Sequence, residues 1–110
     1  MKSKTPIETE HIIRVICEDY PRRAKLLQRK NASDEVLQIC ALLNGAVDDA
    51  TAEAYNMSHA YAPHFAQTMR EDIAKCRGFT FSPLSAAMCE GSYKKYKRMV
   101  KEGIAKRLGL

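Results

Sequence analysis

The sequence contains no apolar run long enough to cross a bilayer. Its longest, Ile39 to Leu43, has five residues, against the roughly 20 that a membrane-spanning helix needs. The opening residues, Met1-Lys2-Ser3-Lys4-Thr5-Pro6-Ile7-Glu8, carry charges but no apolar stretch of the kind a secretory signal requires. A soluble, cytoplasmic protein is expected. The four cysteines, at positions 17, 40, 76 and 89, never form Cys-x-x-Cys, so no structural zinc site is expected. In a reducing compartment they should be free thiols packed in the core, with Cys89 the one close enough to a helix start to be activated. Five glycines are scattered singly and form no phosphate-cradling loop. His59 and His64 would sit about 140° apart on a helix and share no face. The carboxylate pairs, Asp48-Asp49 with Glu53 and Glu71-Asp72, fall on faces expected to be solvated. No cofactor, metal site or catalytic constellation emerges, so an enzyme is not expected.

The 110 residues, 45% hydrophobic and 28% charged, suit one ordinary globular domain. The charge is unevenly spread. Residues 1–32 carry a net +4, residues 33–91 a net −5 and residues 92–110 a net +6. A basic end beside an acidic middle points to a polyanionic partner. The basic group Arg22, Arg23, Lys25, Arg29 and Lys30 either lines the same surface as that end or pairs with the acidic middle.

Strand signals are nearly absent. Gly78-Phe79-Thr80-Phe81 runs straight into Ser82-Pro83 and reads as a connector. Helical periodicity covers the rest. Thr5, Pro6 and Glu8 form a helix-start signature, followed by the stripe Ile12, Val15, Ile16 and Tyr20, which Pro21 interrupts. Ser33 caps a helix reinforced by Asp34 and Glu35. Val36, Leu37, Ile39, Cys40, Leu42 and Leu43 cover so much of its circumference that deep burial is expected, and the acidic, apolar stretch from Val36 to Tyr55 is a candidate partner surface. Val47, Ala50, Ala54 and Tyr55 continue the stripe until Ser58. Phe65, Met69, Ile73 and Cys76 form another, closed by Gly78. Ser82-Pro83 starts a helix of about two turns, and Gly91 at positive φ with Ser92 as cap forms the turn into a last helix from Tyr93 to Leu108. The inward stripe of that helix is Tyr93, Tyr96, Val100, Ile104 and Leu108. Lys94, Arg98 and Lys101 share a cationic face. The expected fold is all-α, a bundle of about five or six helices over residues 1–110, with 1–80 as the bundle and 81–110 as a helix-turn-helix.

The segment Phe81-Ser82-Pro83-Leu84-Ser85-Ala86-Ala87-Met88-Cys89-Glu90-Gly91-Ser92-Tyr93-Lys94-Lys95-Tyr96-Lys97-Arg98, with Ile104-Ala105-Lys106-Arg107-Leu108-Gly109-Leu110, resembles the helix-turn-helix of sigma-factor region 4. It is closer to the small phage transcriptional regulators of the ArpU and RinA type. Glu90-Gly91 departs from their pattern at the turn. The resemblance covers about 30 residues and implies a DNA-binding transcriptional regulator of phage or mobile-element origin that reads double-stranded DNA with its last helix, residues 92–108. Ser92, Lys94 and Lys95 would lie nearest the bases, with Lys97, Arg98 and Lys101 on phosphates. A homodimer on a palindromic site and contact with RNA polymerase are the associated partners. The alternative is a non-enzymatic helical adaptor that meets RNA polymerase or an acidic protein.

Overall fold

The computed structural model describes residues 7–110, so the helix-start signature at Thr5 and Pro6 lies outside the described residues. Five α-helices follow one another: α1 (Ile7–Glu18), α2 (Tyr20–Arg29), α3 (Asp34–Ser58), α4 (Phe65–Ala74) and α5 (Glu90–Leu108). Two 3-10 turns, Phe79–Phe81 and Pro83–Ala86, bridge α4 to α5. The fold is all-α, with no strand among the described residues, and no helix there is long and apolar enough to cross a membrane.

The breaks have local causes. Pro21 stands in the first turn of α2, so α1 and α2 meet at Asp19 alone. Ser33 is in extended backbone and its Oγ accepts the Val36 N–H at 3.3 Å, satisfying one of the amides a helix start leaves free. α3 then runs unbroken for 25 residues through Gly45. Three exits use non-glycine residues in left-handed backbone: Lys30 after α2, His59 after α3 and Cys76 beyond α4. Gly78, expected to close α4, is instead extended, and Cys76 takes the positive φ.

The core gathers Ile13, Ile16 and Cys17 of α1, Val47, Ala50 and Ala54 of α3, Phe65, Met69 and Ile73 of α4, Leu84, and Tyr93, Val100 and Ile104 of α5. Three expectations are corrected. The α1 stripe is rotated by one residue: Ile13 and Cys17 are buried, whereas Ile12 and Val15 are exposed. The start of α3 is not deeply buried, because α5 packs antiparallel along only its second half, with Tyr96 reaching Met57 and Arg107 reaching Glu53. Ile39 and Leu42 are consequently 58% and 60% exposed. Cys17 and Cys40 are buried free thiols, but Cys76 and Cys89 are exposed.

Candidate nucleic-acid interface

The faces of α5 are set by what anchors it. Tyr93 is fully buried and donates its hydroxyl proton to Asp72 Oδ2 at 2.8 Å, with the Arg77 carbonyl 3.2 Å away. Burial, reinforced by the Asp72 carboxylate, pushes its phenol well above the usual range. Asp72 Oδ1 stands 2.7 Å from Arg77 Nε, off the N–H line, so this contact is an ion pair without an aligned hydrogen bond. Asp72 was expected on a solvated face. It is instead fully buried, and a buried carboxylate persists only with partners such as these. Farther along, Gly103 lets α5 approach α3 closely: a Cβ there would lie 3.1 Å from Ala50 Cβ.

These anchors divide the six residues expected to form the site. Lys94, Lys95 and Arg98 are exposed on the outward face, joined by Lys106. Lys94 pairs with Glu90 at 3.0 Å. Lys95 lies 5.4 Å from the Tyr96 ring centroid. Among the described residues, Arg98 and Lys106 form no ion pair. Lys97 and Lys101 turn the other way, into a cleft of about 420 Å³ between α1 and α5 that Arg14 and His11 also line. Lys97 Nζ donates to the Arg77 carbonyl at 2.6 Å. Burial first, then the like charges of Lys101 and Arg77, lower the pKa of its ammonium, while Asp72 partly opposes this. Lys101 Nζ lies 3.5 Å from Glu10. Ser92 is half-buried in the first turn of α5, its Oγ 3.4 Å from Cys89 Sγ. That hydroxyl and nearby backbone amides hold the Cys89 thiol below its usual pKa.

The entry to α5 differs from the expected turn. Residues 83–86 form one 3-10 turn, where a two-turn helix was expected. α5 begins at Glu90 with Cys89 as its cap residue, so Gly91 lies inside the helix and Ser92 does not cap it. Ser82, followed by proline, caps the short turn by accepting the Leu84 N–H at 3.1 Å.

The second basic group joins neither α5 nor the acidic middle through Arg22 or Arg23. Arg22 grips both oxygens of Asp19 at 2.7 and 2.6 Å. Arg23 is buried: its Nε donates to Asn44 Oδ1 at 2.6 Å, Nη2 donates to the Ile16 carbonyl and Nη1 lies 3.5 Å from Asp19. It pins α2 to α1 and α3. Sequence patterning treated it as one of several surface cations, since nothing local separates Arg23 from Arg22. Phe81, at the outer edge of the connector, was likewise passed over. Comparison with protein-family models, curated proteins and solved structures returned no match.

Proposed function

We propose that the chain is a non-enzymatic, DNA-binding transcriptional regulator that engages double-stranded DNA through the outward face of α5. The observation that carries this reading is the exposed row Lys94, Lys95, Arg98 and Lys106, in which Arg98 and Lys106 lack a carboxylate partner among the described residues. Along one rigid helix, Lys95 with the unpaired Arg98 and Lys106 can displace counterions from a phosphate backbone and make affinity salt-dependent, against the opposing charge of Glu90 and Glu102 on the same helix. Lys94, Lys95 and Arg98 are the contacts on this reading. Lys97 and Lys101, facing the α1 cleft, shape the inner edge, and Ser92 organises the first turn.

The test is fluorescence anisotropy with duplex fragments across roughly 50 to 200 mM salt, over which three to four phosphate contacts should cost about 40-fold to 150-fold in affinity. Arg98→Ala should weaken binding to every duplex and reduce the salt slope by about one. An unchanged slope removes Arg98 from the contact surface, and no binding at 50 mM removes the reading. The second reading, an interaction module, draws on the exposed Val36, Ile39 and Leu42. It predicts only weak, salt-sensitive attraction to duplex.

A further inference from the structure

The connector between α4 and α5 holds an aromatic ring that the core does not use. Phe79 and Phe81 bracket one 3-10 turn and face opposite ways. Phe79 packs edge-on against Tyr93, with ring centroids 5.6 Å apart. Phe81 is 78% exposed. It borders an open groove of about 610 Å³ between residues 75–81 and the first turns of α5, where Lys75, Arg77 and Lys94 meet a single carboxylate, Glu90. That carboxylate is already 3.0 Å from Lys94. Arg77 is held from behind by Asp72 at 2.7 Å, which leaves Lys75 exposed and without an ion pair among the described residues.

The groove therefore offers a bare π-face beside surplus positive charge. An occupant that satisfies both must be planar and apolar on one side and anionic on the other. A nucleotide has that chemistry, since its base stacks on an aromatic ring while its phosphates take the cations. In an intact duplex the base faces are covered by their neighbours, so the occupant is an unpaired nucleotide.

The geometry points to this groove as a binding site for single-stranded nucleic acid, with a base stacked on Phe81 and phosphates on Lys75 and Lys94. The inference rests on the reading of α5 as a nucleic-acid-binding helix, and it adds a contact to the base that α5 alone does not make. Glu90 sits at the rim, where it disfavours a phosphate placed directly against the start of α5.

The chain has no tryptophan, so Phe81→Trp creates a single tryptophan reporter, excitable apart from the five tyrosines, at an exposed position that tolerates the larger ring. Two oligonucleotides about twelve nucleotides long, within the range such sites cover, serve as probes: one of thymidine and one abasic, equal in charge. The expected result is quenching of the tryptophan by the thymidine strand and none by the abasic strand. In parallel, Phe81→Ala should bind the thymidine strand about tenfold or more weakly than the native chain, with unchanged affinity for the abasic strand. Binding of both strands with equal quenching or none, or with Phe81→Ala indistinguishable from the native chain, overturns the stacking site and leaves the polyanion reading standing. Failure of both strands to bind in anisotropy while duplex still binds overturns this inference alone, and failure of duplex as well overturns the reading of α5 with it.

Discussion

At the scale of single residues, the molecule depends on polar groups that the core has enclosed. Cys17 is 2% exposed, and burial pushes its thiol from 9.0 to about 11, with Arg70, Arg23 and Lys101 pulling the other way. Below pH 9 the thiol is protonated in both folded and unfolded chains, and its contribution to stability is complete. As pH rises from about 9 through 11 the unfolded thiol ionises first, and that contribution is lost. Urea unfolding at pH 8, 9 and 10.5 should show stability falling by about 2 kcal/mol more in the native chain than in Cys17→Ala. Parallel pH profiles would mean that Cys17 ionises equally in both states. The buried pair Asp72 and Tyr93, with the half-buried Arg77 beside it, and the buried Arg23 were not legible in the sequence. A charged residue enters a core only when partners arrive from elsewhere, and here the Tyr93–Asp72 bond spans 21 residues. Periodicity records which side chains are apolar and carries no trace of such partners.

At the scale of elements, α3 is the spine, with α2 packed on one part of it and α5 along its second half. The α3–α5 contact is tightest at Gly103, where an added Cβ would meet Ala50 Cβ at 3.1 Å and Arg107 Nη1 at 3.0 Å. A branched side chain there must push the two helices apart. Gly103→Val should cost about 1–3 kcal/mol by thermal or urea unfolding. Gly45 in the middle of α3 faces no atom within 4 Å of such a Cβ, so Gly45→Ala should stabilise by about 0.5–1 kcal/mol through helix propensity. A cost at Gly45, or neutrality at Gly103, would contradict the packing. The five α-helices were readable, from the Ser33 cap of α3 to the Tyr93, Val100 and Ile104 stripe of α5. Exits were harder to read, because Lys30, His59 and Cys76 adopt a conformation that sequence reasoning assigns to glycine. The segment Pro83 to Met88 departs from the expected short helix for a related reason: Leu84 is the one buried side chain of residues 83–86, too little apolar surface to fix two turns.

At the scale of the whole molecule, one face of the start of α3, carrying Val36, Ile39 and Leu42, is left uncovered. Ile39 and Leu42 were expected inside because their segment is apolar on most sides, but burial depends on which helices reach that far, and α5 does not. Replacing both with serine should change the stability of the dilute protein by no more than about 0.5 kcal/mol per site, whereas Ile13→Ala in the core should cost about 2–5 kcal/mol. A large loss at Ile39 and Leu42 that grows with protein concentration would show that a second copy covers them. The candidate site was legible as a basic helix, and its division into an outward row and an inner pair was not, because that depends on α1 and the connector lying along one flank. The Arg77 carbonyl joins those parts. It receives Lys97 at 2.6 Å and lies 3.2 Å from the Tyr93 hydroxyl, while the Arg77 side chain holds Asp72 of α4. These contacts tie the end of α4, the connector and the first half of α5 together, and native-state hydrogen exchange is expected to show them opening as one unit. On that expectation Lys94 and Arg98 form together with the ring of Phe81, and a ligand that grips one of them also raises the population in which the other is formed.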